Sequence, residues 1–165
     1  SAVAIYAQEA EAPADVLRHV HDALIDELEN TEMHLSLFYG VLDPAEGRLV
    51  YANAGHPHAF RIDADGSWRR LDALNPPLGT APLADYEEAV VPWTADRDTL
   101  FLFTDGLSDA FGARNGVSGE EQLLEEVARM RDRPPVAVLD RIFGLAARGR
   151  PAVPPDDRTA VLLMI

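Results

Sequence analysis

The 165-residue chain contains no cysteine. That excludes disulfides, thiolate zinc sites and any mechanism built on a Cys nucleophile. Cations are scarce too: 14 basic residues stand against 28 acidic ones, for a formal net charge of −14. A surface this acidic repels the phosphate backbone, so nucleic-acid binding is not expected. It suits capture of Mg²⁺ or Mn²⁺, which take oxygen ligands, although solubility alone explains most of these carboxylates. No apolar run is long enough to span a bilayer and no signal peptide is recognisable, so membrane insertion is not expected and a cytoplasmic location is the default. Internal repeats and low-complexity segments are also missing.

What is present is a 47% share of hydrophobic residues, enough for a real core. The length fits one domain, spanning 1–165. Ser1 to Gln8 is apolar and begins abruptly, reading as the middle of a helix whose beginning lies outside the sequence. Pro13 then opens a second helix, with Asp15 in its first turn and an apolar stripe of Val16, Leu17, Val20, Leu24 and Leu28. His19 and His21 on that helix face different directions and are not a metal pair. If the stripe is exposed, it makes a homodimer possible.

From Leu35 the period changes to two. Strands are expected at Leu35–Val41, Leu49–Ala52, His58–Ile62 and Ser67–Leu71, with turns at Asp43–Gly47 and Asp63–Gly66, giving an antiparallel meander. Asn75-Pro76-Pro77-Leu78-Gly79 is loop. Further strands are expected at Tyr86–Val91 and Thr99–Phe103, the second buried on both faces. Helices follow at Glu120–Arg131 and Val136–Ala147, and Thr159–Ile165 closes the chain as a buried strand. The loop from Ala110 to Gly119 reads as a connector or as a mobile flap. Helices, then strands, then helices and a last strand argue an α+β fold with a largely antiparallel sheet.

Two short motifs carry candidate chemistry. In Thr104-Asp105-Gly106 a buried apolar strand runs into an acid, which is costly to hold there unless something compensates it. A metal ion would; so would a plain capping role at the next turn or helix. In Pro155-Asp156-Asp157-Arg158-Thr159 two carboxylates stand at the start of the other buried strand, either as ligand and neighbour or as a solvated turn with Arg158 as counter-ion. If the two strands are neighbours, Asp105 and Asp156 converge, and hard oxygen ligands on rigid elements suit Mg²⁺ or Mn²⁺.

These motifs, taken with Asn53-Ala54-Gly55-His56-Pro57, Phe38-Tyr39-Gly40-Val41-Leu42-Asp43 and Leu100 to Leu107, resemble in order and spacing the PPM-type phosphatases of the stage II sporulation protein E and RsbU kind. The resemblance covers the chain from about Val16 to its end. It implies an α/β-β/α sandwich of mainly antiparallel sheets flanked by helices, N-terminally incomplete here. It implies a two-metal centre, Mn²⁺ or Mg²⁺, that hydrolyses phosphoserine or phosphothreonine without a covalent enzyme intermediate. The implied partner is a phosphorylated anti-sigma-factor antagonist of the STAS type. By motif, Asp105 and Asp156 carry over as metal ligands. Gly106, Asp109, Asp157 and Thr159 carry over as motif neighbours, and Asn53, Gly55 and His56 as a signature read as a tight turn with local hydrogen bonds.

Two departures stand out. The family's first metal block, an Asp followed shortly by Gly-His-Gly, is absent, and Asp109 stands where the family commonly has Glu. A truncated chain, a naturally shortened protein, or a sequence that begins where order begins would each explain the missing block, and the abrupt start at Ser1 points to truncation. An active phosphatase, a non-catalytic interaction module and a purely structural role for every acid are the three functional readings.

Overall fold

The computed structural model describes residues 2–4, 12–80, 85–148 and 157–165, the first three by their backbone. The chain divides into two compact units, one of residues 1–57 and 72–94, the other of residues 58–71 and 95–165.

The first unit is a four-stranded sheet with a helix packed on it. In chain order its elements are β1 (Ala2–Ala4), α1 (Pro13–Thr31), β2 (Leu37–Asp43), β3 (Arg48–Ala54) and, after an excursion into the other unit, a strand at Ala89–Pro92 that is β6 below. The sheet order is β1-β2-β3-β6, parallel at β1–β2 and antiparallel elsewhere. Pro13 sits in the first turn of α1, where its missing N–H is harmless, and Asp15 faces the positive end of the dipole. Leu17 and Leu28 of α1 meet Leu37 and Tyr39 of β2 and Ala52 and Ala54 of β3 in one core. The period-2 spacing of the strand residues is what places them all on the helix-facing side. His21 is buried edge-on to Tyr86, while His19 is exposed, as two positions on different helix faces should be. The β2–β3 turn forms as expected: Asp43 Oδ1 accepts from the Glu46 N–H at 3.0 Å and Gly47 takes φ +63°.

The second unit contains β4 (Ala59–Ile62), β5 (Trp68–Arg70), β7 (Thr99–Phe103), α2 (Asp105–Phe111), α3 (Gly119–Arg129), α4 (Pro135–Arg148) and β8 (Ala160–Met164). Its antiparallel sheet runs β5-β4-β7-β8. β7 is buried at all five positions, as its unbroken apolar run implies. Phe60, Phe101 and Phe103 pack with Leu107 of α2, Leu123, Leu124 and Val127 of α3, and Val138 and Ile142 of α4. Burial of each such side chain contributes about 1.5–3 kcal/mol. The β4–β5 turn is closed by Asp65, whose Oδ1 accepts from the Ser67 N–H at 2.8 Å and the Ser67 hydroxyl at 2.6 Å. These bonds hold its carboxyl below the usual range.

Four expectations change. The opening segment forms a strand, not a helix, at residues 2–4, because its apolar residues find a parallel partner in β2; residues 5–8 lie outside the described residues. The strands from Leu35 to Arg70 are not one meander: β2–β3 and β4–β5 belong to different sheets, and β3 takes β6 as its second neighbour. β6 begins at Ala89 and not at Tyr86, because the backbone of Glu87 is bound by the Asn75 side chain (N–H to Oδ1 2.7 Å, C=O from Nδ2 2.8 Å). β8 is half-buried throughout and not buried, since it is the edge of its sheet.

The loop after α2 is a connector pinned in place. Gln122 Nε2 donates to the carbonyls of Gly112 (2.6 Å), Val117 (3.2 Å) and Ser118 (3.3 Å), and Arg114 and Val117 exchange backbone hydrogen bonds across it.

Candidate metal centre

β7 ends where Phe103 pairs with Ala160 of β8. One residue on, Thr104 leaves the strand (φ −94°, ψ 153°) and α2 starts at Asp105. Thr104 continues the pairing by other means. Its N–H donates to the Thr159 carbonyl at 3.1 Å, and its Oγ1 accepts from the Thr159 N–H at 2.9 Å. The same hydroxyl donates to the Asp157 carbonyl at 2.7 Å. The two acidic motifs are therefore stitched together by a threonine side chain that replaces the missing rung of the ladder. Asp157 and Thr159 are held beside Thr104; Asp156 lies outside the described residues.

Asp105 is exposed and its Oδ1 accepts from the Gly106 N–H at 2.9 Å. Gly106 itself is buried in the first turn of α2. Ser108 Oγ closes that turn on the Asp105 carbonyl at 2.9 Å. Asp109, four residues on, occupies the same helix face and is also exposed. Two carboxylates at this spacing repel by a few tenths of a kcal/mol, and neither has a basic partner among the described residues. An acid held at the mouth of a buried strand, with a second acid above it and no counter-ion, fits a hard divalent cation in its donor chemistry. The described residues by themselves hold no group of three or more metal-binding side chains.

Asn53, Gly55 and His56 lie in the first unit and build a closed turn. The Asn53 side chain clamps the backbone of His56 from both sides, Oδ1 accepting from its N–H and Nδ2 donating to its C=O, each at 2.9 Å. Gly55 has φ +73°, and a Cβ there would lie 2.4 Å from Pro77 Cγ. Only glycine satisfies both demands. Asn53 is fully buried and its carbonyl accepts from the Asn75 N–H at 3.0 Å, so the motif also anchors the Asn75–Gly79 loop.

A cluster with no signal in the sequence lies at the start of α3. Glu120 pairs with His58 (Nδ1 to Oε2 2.6 Å) and with Arg70. His58 stacks on Phe103 with centroids 4.8 Å apart, and Arg70 covers the Phe60 ring at 4.6 Å. Its members come from β4 and its flank, β5 and α3, 50 and 62 residues apart in sequence, which no local pattern reveals.

Among the described residues no helix is long and apolar enough to cross a membrane. The family model for stage II sporulation protein E (SpoIIE) matches residues 1–165. The chain is 29% identical over 112 residues to Protein IcfG of Synechocystis sp., covering 67% of this chain and 17% of IcfG. It is 34% identical over 92 residues to the phosphoserine phosphatase RsbP of Bacillus subtilis, covering 56% of this chain and 22% of RsbP. The chain thus spans a minor part of the curated relatives it matches. Among solved structures, the SiaA-PP2C domain of Pseudomonas aeruginosa superposes with a TM-score of 0.73 at 20% identity, covering 92% of this chain and 59% of that one. The fold is α+β and PP2C-like, and the chain belongs to the stage II sporulation protein E family of PPM-type serine/threonine phosphatase domains.

Proposed function

We propose that the chain is the larger, C-terminal part of a single metal-dependent phosphatase domain that hydrolyses phosphoserine or phosphothreonine on a regulatory partner protein. One family model running from residue 1 to 165 supports the reading of both units as one domain. The observation that carries the proposal is the Thr104 stitch, which holds an uncompensated Asp105 beside the strand that follows Asp156 and Asp157. In this reading Asp105 and Asp156 are metal ligands, and Asp109 and Asp157 stand close behind them. Similarity to a phosphoserine phosphatase supports the substrate class. The motif resemblance supports an anti-sigma-factor antagonist of the STAS type as the partner. A cytoplasmic location goes with this reading, and the cysteine-free sequence agrees with it.

Two Mn²⁺ or Mg²⁺ ions, when bound, supply an activated water for in-line attack on phosphorus and offset the charge of the transferring phosphoryl group. The residues of this chain orient the donors. Gly106 N–H fixes one oxygen of Asp105, Ser108 holds the turn that carries it, and Thr104 sets the spacing to Asp157. Rigid support of this kind keeps a ligand set within the tolerance that catalysis demands.

A second reading, a catalytically inactive interaction module, is favoured by one observation: these 165 residues contain no Asp followed shortly by Gly-His-Gly, the family's first metal block. Mn²⁺-dependent hydrolysis of a phosphoserine peptide separates the two. The enzyme reading expects hydrolysis by a chain extended upstream by about one βα unit, abolished by EDTA and by Asp156→Ala. A folded extended chain that binds no Mn²⁺ and hydrolyses nothing establishes the module.

A further inference from the structure

The second unit contains a cleft of about 380 Å³ on the helical side of its sheet, between the end of α2 and the flanks of α3 and α4. Its charge is opposite to that of the chain. Arg114, Arg129, Arg141 and Arg148 line it, against Glu125 and Glu126. Four of the fourteen cations thus gather in one cleft of a molecule that carries −14 overall. The chain has no lysine, so every one of these cations is a guanidinium fork of the kind that matches phosphate oxygens in pairs.

The cleft is built, not merely charged. Glu126 is 8% exposed and pairs with Arg141 (Nε to Oε1 2.7 Å) and with Arg129, fixing both guanidiniums from behind. Arg114 stands on the loop that Gln122 pins to α3. Arg114 and Arg148 have no carboxylate partner among the described residues, and they leave the lining with two positive charges in excess. A cleft of this volume is ligand-sized, and a charged lining selects an ion over an apolar molecule.

We propose that this cleft binds a phosphate monoester or phosphate ion, at a site separate from the one at Asp105. Asp105 and Phe111, which touches the cleft, are the two ends of α2, about 9 Å apart along the helix axis. A group held in the cleft is therefore not the one presented to Asp105. It is either a second phosphoryl group on a phosphorylated polypeptide or the free phosphate ion. The assignment does not depend on whether Asp105 holds a metal.

The test is calorimetric titration of the 165-residue chain in EDTA, which silences metal-dependent hydrolysis. The probes are inorganic phosphate, a phosphoserine peptide and the same peptide unphosphorylated. The expected result is saturable binding of the phosphorylated probes in the millimolar range or tighter. It should weaken about tenfold or more in Arg114→Gln/Arg148→Gln and stay unchanged in Asp105→Asn. Glu125→Gln removes an exposed opposing charge and should tighten binding about twofold, a gain that misfolding cannot imitate. A phosphopeptide that binds about tenfold tighter than inorganic phosphate identifies the polypeptide as the source; equal affinities identify the free ion. Absence of phosphate binding, equal binding of the unphosphorylated peptide, or binding indifferent to the Arg114, Arg148 and Glu125 substitutions overturns the proposal.

Discussion

Thr104 and Thr159 are joined twice, once through backbone N–H and carbonyl at 3.1 Å and once through the Thr104 hydroxyl and the Thr159 N–H at 2.9 Å. The double link extends the β7–β8 ladder by one pair after β7 has already turned into a helix. It explains why a threonine precedes Asp105: its hydroxyl bridges the Thr159 N–H and the Asp157 carbonyl, aligning the two acidic segments, while Thr159 contributes backbone groups.

Thr104→Val keeps the branched shape and loses the hydroxyl. It should lower stability by about 1–2 kcal/mol, since the Thr159 N–H loses its acceptor and the Asp157 carbonyl its donor. Urea unfolding measures the loss, and faster hydrogen exchange at the Thr159 amide locates it. Thr104→Ser should restore most of both.

The Arg61–Asp98 pair is a buried charge pair in the second unit. Asp98 is 2% exposed, with Arg61 Nε 3.1 Å and an Arg61 terminal nitrogen 2.9 Å from its Oδ2. Among the described residues Asp63 is the other carboxylate on Arg61, at 3.0 Å. Asp98→Ala leaves the guanidinium largely out of water with Asp63 as its remaining carboxylate partner among the described residues. The expected cost is about 3–5 kcal/mol, seen as a large drop in the urea midpoint.

α3 begins with a reciprocal capping box. Ser118 Oγ accepts from the Glu121 N–H at 3.1 Å, and Glu121 returns a carboxylate to the Ser118 N–H at 2.9 Å. Ser118→Ala should cost about 1 kcal/mol at neutral pH. The bonds from the Ser118 N–H and hydroxyl hold the Glu121 carboxyl below its usual range. A depressed folded value means that the contribution of this group is present above the unfolded carboxylate value and disappears as pH falls through the folded one. The stability gap between wild type and Ser118→Ala should therefore narrow on acidification, as chemical denaturation at a series of pH values will show.

Local chemistry was legible where one segment decides its own conformation. The unbroken apolar run Leu100–Phe103 announced a central strand, and β7 has a neighbour on each side. Asp43–Gly47 announced its turn, and Asn53–His56 a tight turn with local hydrogen bonds. The family blocks made the PPM-type fold readable from order and spacing. What stayed hidden depends on distant partners. The apolar opening segment suits a helix or a strand equally by periodicity, and only pairing with β2 decides for the strand. β3 looks like the middle of a meander until Asn53 and Gly55 turn the chain away and β6 arrives from the far side of the Asn75 loop. α2 has no clear signal because Gly106, Ser108 and Asp109 are weak helix formers, so the sequence places Asp105 after the strand Thr99–Phe103 and before an unspecified turn or helix, of which it is the first residue.

The central claim, that Asp105 serves the chemistry and not the fold, is tested most directly by Asp105→Asn. The measurement is the rate of Mn²⁺-dependent phosphoserine-peptide hydrolysis by the upstream-extended chain, with its urea midpoint determined alongside. The account predicts a fall of about 100-fold or more in rate with the midpoint unchanged or slightly raised, because the substitution also relieves repulsion with Asp109. A rate within about twofold of the parent, or a collapse of stability that accounts for the lost activity, would contradict it.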